Sequence, residues 1–255
     1  MTVDFGRTAI DYAAYRASFP QEFFSRLEDM GIGLNGQRVA DLGTGTGVLA
    51  RGFARRGCVV TGLDPAAAML DEARQLDDKA GVRVNYLVAS AEDTGLDGAR
   101  WDVVSAGQCW HWFNRPRAGG EARRLLVVGG ALVICHMDYL PLAENVCTAT
   151  EKLILEHNPS WTMAGGTGIH ADWTLDVARA GFTGIETFSF DVEVPYSHEA
   201  RRGRMRTCNG IGATLPPRAV SDFDSALARL LADRFPGEPL GVPHRVWALI
   251  ARAPN

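Results

Sequence analysis

The stretch Asp41-Leu42-Gly43-Thr44-Gly45-Thr46-Gly47 lies between a short apolar, β-branched run and a segment of helical period. Alternating glycines at such a junction let the backbone turn tightly and let a ligand approach without a Cβ in the way. The spacing is not that of a dinucleotide fingerprint: counted from Gly43, its third glycine belongs at position 48, which is Val48. A phosphate loop would end in Gly-Lys-Ser/Thr, which is also absent. The first strand ends instead in an acid, Asp41. A carboxylate is a poor neighbour for a pyrophosphate and a good one for an ammonium or sulfonium. A second acid, Asp64, stands at the tip of the second apolar run, where a carboxylate can hold both hydroxyls of a ribose. The two acids together point to a nucleoside whose tail is cationic and carries no phosphate.

The flanking pattern fixes the fold class. Residues 37–105 alternate β-branched runs with helical stretches, the signature of βαβ units and a parallel sheet. Strands are expected at Val39–Leu42, Cys58–Leu63, Val82–Val88, Asp102–Ser105 and Ala131–His136, the last preceded by a break at Gly129-Gly130. Asp64-Pro65 reads as the opening of a helix that runs to about Asp78. Residues 138–170 are too long for a plain connection and read as an insertion over the mouth of the sheet. Helices near His198–Ile211 and Ala219–Phe235 and a last strand, Arg245–Ala251, complete the chain. With 255 residues, 46% of them apolar, one enlarged α/β domain is expected over 1–255. The net charge of −4 offers no positive field for nucleic acid. Five scattered cysteines without a C-x-x-C pair, an N-terminus without signal-peptide grammar and no long apolar run lead us to expect a soluble, cytoplasmic protein with no membrane span.

The run Val39-Ala-Asp-Leu-Gly-Thr-Gly-Thr-Gly-Val48, followed by Gly62-Leu-Asp-Pro65, Met69-Leu70 and Ala89-Ser-Ala-Glu-Asp93, resembles the class I S-adenosylmethionine-dependent methyltransferases, in particular their type 11, trans-aconitate-methyltransferase-like branch. The resemblance covers about residues 37–137 closely and the rest of the chain more loosely. It implies a Rossmann-like seven-stranded sheet with an antiparallel last strand and a helical lid from the N-terminal segment and C-terminal insertions. Residues 1–36 would be lid helices, 37–137 the cofactor-binding half, and 138–170 with 198–235 the acceptor-binding cover. By position it implies that Gly43, Thr44, Gly45 and Gly47, with Asp41, line the methionine end of S-adenosyl-L-methionine. Asp64, with Pro65 and Met69 behind it, would hold the ribose, and Ala91 and Glu92 would flank the adenine. The segment from Asp11 to Pro20 looks like one that folds over the cofactor, with Tyr12 or Tyr15 over the sulfonium and Arg16 near the methionine carboxylate; the same spacing also fits an ordinary amphipathic first helix. Gln108-Cys-Trp-His-Trp-Phe113 resembles the branch's aromatic-histidine segment, which implies that Gln108 reaches the methionine end of the cofactor and that Trp110, His111 and Trp112 face the transferred methyl.

Methyl transfer from a sulfonium is an in-line displacement in which geometry does much of the work and a base is needed only if the acceptor must lose a proton. His111 is the candidate base; it can equally serve to position the cofactor. Acceptor-binding candidates are Trp112, His136, Asp138, Tyr139, Trp161, Met163, His170, Arg204, Arg206 and Asn209. The pairs His136/Asp138 and His170/Asp172 could ligate a metal only if their segments meet, and no metal site is expected, with Asp172 capping the helix it precedes. The expected activity is methyl transfer to an O, N or C atom of a small aromatic or heterocyclic metabolite by a monomer or homodimer. Alternatives are a carboxyl O-methyltransferase on a small organic acid, with Arg204 or Arg206 on the carboxylate, a non-catalytic S-adenosylmethionine-binding regulator, and a nicotinamide enzyme.

Overall fold

The structure, a computed structural model, describes residues 15–254; Tyr12 lies outside them. The elements run α1 (Gln21–Asp29), β1 (Arg38–Leu42), α2 (Val48–Ala54), β2 (Val59–Asp64), α3 (Ala67–Ala80), β3 (Asn85–Val88), β4 (Trp101–Gly107), a 3-10 turn (Trp110–Trp112), α4 (Arg115–Leu125) and β5 (Leu126–Tyr139). Then follow α5 (Val146–His157), α6 (Trp173–Arg179), β6 (Thr183–Tyr196), α7 (His198–Arg206), α8 (Pro217–Arg234) and β7 (Leu240–Arg252). The sheet has seven strands in the order β3-β2-β1-β4-β5-β7-β6. β1 to β5 pair in parallel. β7 runs against β5: Ala253 pairs with Gly129 and Gly130, whereas Pro243 pairs with Leu140, so the numbers fall on one strand as they rise on the other. This is the α/β Rossmann-like fold with an antiparallel last strand that the sequence implied.

Contacts group the described chain into two compact units. One comprises residues 18–137, 170–190 and 246–254; the other comprises 15–17, 138–169 and 191–245. The first holds a core of strand residues buried on both faces, Ala40, Leu42, Leu63, Val104, Ala106, Leu132 and Ile134 among them, as parallel strands covered by helices require. The second is built on α5, α7 and α8, whose Leu153, Ile154, Met205, Phe223, Leu227 and Leu231 pack together. No helix of the described residues is long and apolar enough to cross a membrane.

Several boundaries differ from those read in the sequence. The helix after Asp64-Pro65 starts at Ala67 and not at the proline, because Asp64 turns its carboxylate back on the Ala66 N–H at 2.9 Å and closes a turn there first. It continues to Ala80, where Gly81 at φ 66° ends it. Gly129-Gly130 does not separate α4 from β5. β5 begins directly at Leu126 and absorbs the pair as a bulge: Trp101 pairs with Leu126 and Val103 with Ala131, with Gly129 at φ 74°. Asp172 precedes α6 but makes no capping bond. The last strand, expected at Arg245–Ala251, spans Leu240–Arg252, and α7 stops at Arg206, with turns in place of helix up to Ile211.

The glycine turn is locked by its neighbours. Gly43, Gly45 and Gly47 all have positive φ, and a Cβ on Gly47 would sit 2.2 Å from the Tyr86 hydroxyl. That hydroxyl donates to Asp77 at 2.8 Å, and Asp77 pairs with Arg51 of α2 at 2.7 Å. Gly47→Ala is therefore expected to cost more than the roughly 1–3 kcal/mol of left-handed strain, while Gly81→Ala, at a similar φ with no atom near its Cβ, is expected to lose only the strain. Urea denaturation of both variants checks the difference; equal losses would show that the Tyr86 contact is immaterial.

Candidate functional site

The acid at the end of β1 works from beneath the turn. Asp41 is 1% exposed; its Oδ2 accepts from Thr44 Oγ1 and its Oδ1 from Ser105 Oγ, each at 2.6 Å. Ser105 is the β4 residue paired with it, so one carboxylate ties the turn to the neighbouring strand. Burial pushes its carboxyl up to about 6 from the ordinary 3.8, against those two hydrogen bonds.

Asp64, half-buried, stands at the end of β2. Its Oδ2 accepts from the Gly45 N–H at 2.9 Å and its Oδ1 from Ala66 N–H, so it holds the turn from the side. Each carboxylate oxygen has two lone pairs, and one on each oxygen remains for a ligand. Met69 of α3 is buried, and its Cε lies 3.4 Å from where a Cβ on Gly45 would be. Ala91 is buried beyond β3; Glu92 takes the Asn114 N–H at 2.7 Å, the N-cap of α4. Gln108 closes the end of β4. It holds φ 64° although it is not glycine, with its N–H on Cys135 O and its Nε2 on Met137 O at 2.8 Å.

The aromatic-histidine segment divides. Trp110 is 0% exposed and belongs to the core, edge-on to Phe113; the cofactor contact expected of it is replaced by packing, because its indole has no free surface. His111 and Trp112 remain outward, with rings 4.6 Å apart. The histidines His111, His136 and His170 come together. The ring centres of His111 and His136 are 5.3 Å apart and those of His136 and His170 are 4.4 Å apart. Trp173 stacks on His170 at 4.1 Å. The two His-x-Asp segments thus meet through their histidines, and Asp138 follows His136 by two residues on β5, on the same face of the strand.

The family model described as a methyltransferase domain matches residues 40–134. A malonyl-[acyl-carrier protein] O-methyltransferase from Geobacter sulfurreducens is 31% identical over 94% of this chain and 92% of its own length. The chain belongs to the class I S-adenosylmethionine-dependent methyltransferases. An uncharacterized methyltransferase from Mycobacterium bovis is 36% identical over 132 residues, 52% of this chain and 51% of that protein; the chain spans about half the length of the first curated relatives it matches. A phosphoethanolamine N-methyltransferase from Haemonchus contortus, solved with S-adenosyl-L-methionine, shares the fold with a TM-score of 0.57 at 19% identity, over 98% of this chain and 57% of that one.

In the other unit, Tyr15 lies against Gly203 of α7, 5.7 Å from the Arg206 guanidinium. Arg16 precedes α1 and is half-buried. Trp161 and Asn209 are brought together by Nε1 donating to Oδ1 at 3.1 Å, and Asn209 reaches the Met163 sulfur at 2.6 Å. Arg204 donates weakly to Thr207 at 3.4 Å, whereas Arg206 pairs with Asp224 and Glu199. Tyr139 is half-buried, with the Arg201 guanidinium over its ring at 5.1 Å. Sequence reasoning missed Ser105, Arg201 and Glu151. For Ser105 the signal was a lone hydroxyl in an apolar strand. For Arg201 it was the spacing to Met205 and Cys208, which places an arginine on a buried helical face.

Because its folded-state pKa lies above the unfolded value, Asp41 holds its proton more tightly in the native state, so its burial opposes folding increasingly as pH rises from about 4 to about 6. Asp41→Asn, which can still bond both hydroxyls, is expected to gain on the parent across that interval by about 2–3 kcal/mol. Denaturant melts at pH 4 and pH 7 measure the gain; a constant difference would overturn it.

Proposed function

We propose that this protein transfers the methyl group of S-adenosylmethionine to an oxygen, nitrogen or carbon of a small metabolite, aromatic or heterocyclic in character, as a soluble cytoplasmic monomer or homodimer. The observation that carries the reading is Asp64: it fixes the Gly45 backbone and keeps a lone pair on each oxygen for a vicinal diol. Gly43, Thr44, Gly45 and Gly47 would line the methionine end over the Asp41 carboxylate. Pro65 and Met69 would back the ribose, and Ala91 and Glu92 the adenine. Gln108 would face the methionine tail, with Tyr12 or Tyr15 and Arg16 as the lid. When bound, the cofactor supplies a methyl on a sulfonium that departs as a neutral thioether. The chain's own part is to hold the acceptor in line and, where needed, to take its proton.

His111 would do that, or position the methyl, with the His136 ring 5.3 Å away and His170 beyond it. The cover residues Trp112, Tyr139, Trp161, Asp138, Arg204 and Asn209 would recognise the acceptor, and the domain would divide into a donor half and an acceptor cover. A carboxyl O-methyltransferase of the trans-aconitate-like kind is the second reading. It is supported by the Geobacter relative, whose name specifies an O-methyltransferase acting on a malonyl group.

Calorimetry with S-adenosylmethionine and S-adenosylhomocysteine is expected to give micromolar binding that Asp64→Ala weakens at least tenfold; no binding of either would sink the family reading as an activity, and binding without turnover in a metabolite screen with labelled cofactor would favour a regulator. His111→Ala is expected to lower turnover and flatten its pH profile near neutrality, and full turnover at every pH would reject His111 as base. Turnover is expected to survive EDTA; a loss restored by a divalent ion would replace the metal-free mechanism with one using the gathered histidines.

A further inference from the structure

Asp41 and Asp64 bond the glycine turn only as far as Gly45, through the Thr44 hydroxyl and the Gly45 N–H. Its second half, Thr46 and Gly47, is gripped from another direction. Arg51 of α2 takes both residues at once: its backbone N–H donates to Gly47 O at 2.8 Å and its Nη2 to Thr46 O at 2.8 Å. The same guanidinium reaches Ala73 O of α3 at 3.3 Å and sets Nε 2.7 Å from Asp77 Oδ1. Asp77 in turn accepts the Tyr86 hydroxyl on Oδ2 at 2.8 Å. Burial and the Asp77 carboxylate push the pKa of that hydroxyl upward, so it stays a donor. Tyr86 reaches this place from β3 because its strand partner is Gly62 of β2, where a Cβ would meet the ring edge at 2.8 Å. Its hydroxyl lies beneath Gly47, and its ring packs with Leu70 and Ala73. Arg51, Asp77 and Tyr86 are all buried.

Stability alone is a poor account of this arrangement, since replacing a buried ion pair by apolar groups of similar volume is often neutral or stabilising. What the pair adds is direction. A planar guanidinium bonds several partners in one fixed geometry, and here it ties α2 and α3 to a peptide group of the turn. We propose that Arg51, Asp77 and Tyr86 are positioning residues for the methionine end of S-adenosylmethionine: Arg51 holds the Thr46–Gly47 backbone in the orientation the cofactor meets, while Asp77 and Tyr86 hold Arg51. The inference rests on the reading that the glycine turn lines that end of the cofactor. Being buried, the three residues act through the backbone, which is ordered before the ligand arrives, so that its ordering does not oppose binding. In the same reading the nucleoside is held elsewhere, by Asp64, Ala91 and Glu92, so the network acts on one end of the cofactor only.

That asymmetry is the test. Calorimetry on the full chain compares S-adenosylhomocysteine with adenosine, which lacks the amino-acid tail, for the parent, Arg51→Lys and Tyr86→Phe. A lysine ammonium can keep the Asp77 ion pair but cannot also span to Thr46 O, and phenylalanine keeps the ring while losing the hydroxyl. Each variant is expected to weaken S-adenosylhomocysteine about five- to tenfold, to leave adenosine within about twofold, and to melt close to the parent. Equal weakening of both ligands, or failure of either variant to fold, shows a structural role only and overturns the proposal. Unchanged S-adenosylhomocysteine affinity in both variants overturns it as well, and leaves the cofactor reading standing. A parent that binds neither ligand removes the cofactor reading and the positioning role together.

Discussion

Two carboxylates at the ends of adjacent strands hold the glycine turn of this protein in shape. Asp41, buried beneath the glycine turn, takes hydroxyls from the turn and from β4, while Asp64 takes a backbone N–H from the turn and another from the start of α3. Glycines at positive φ have the largest conformational freedom to lose on folding, and the turn has three of them. It is ordered because directional bonds to fixed strand ends offset that loss. Burying a carboxylate is expensive when it is unpaired, and Asp41 bears part of that cost as its raised pKa. Both acids also leave negative charge where a cationic nucleoside would lie, so the groups that build the turn prepare it electrostatically.

Around this frame, the side chains best suited to chemistry gather where strand ends converge. His111 arrives from the turn after β4, His136 from β5 and His170 from just before α6, and their rings stack among Trp173 and Trp247. Three imidazoles in one aromatic nest share a common environment, so removing one changes the hydration and packing of the others. The other unit shows the opposite economy. There Arg202 and Arg206 of α7 are neutralised by Asp224 of α8 and Glu199 of α7, while Arg201 of the same helix is fully buried over the Tyr139 ring.

Much of the site was legible in sequence because its signals are local. A glycine alternation, an acid at a strand tip and another some twenty residues on are readable without knowing what packs against them, and the structure puts Asp64 on the Gly45 N–H. Boundaries were less legible where side chains redirect the backbone. Asp64 delays α3 by closing a turn on Ala66, and Gly129-Gly130 read as a helix stop when β5 in fact bulges through the pair. Trp110 and Trp112 look alike in sequence, two residues apart around His111. Only the packing of the 3-10 turn against β4 and α4 sends one into the core and leaves the other 43% exposed.

The sequence by itself determined the fold class, the strand-turn-helix that receives a nucleoside and the sign of the charge it presents, since each follows from residue type and short spacing. Tertiary structure alone decided that Ser105 completes the Asp41 lock, that His111, His136 and His170 share one nest, and that of the arginines on α7 it is Arg201 that lies fully buried. Those facts depend on which segments, distant along the chain, come to share a surface. Burial and hydrogen-bond satisfaction are set by that sharing, and no local pattern encodes them.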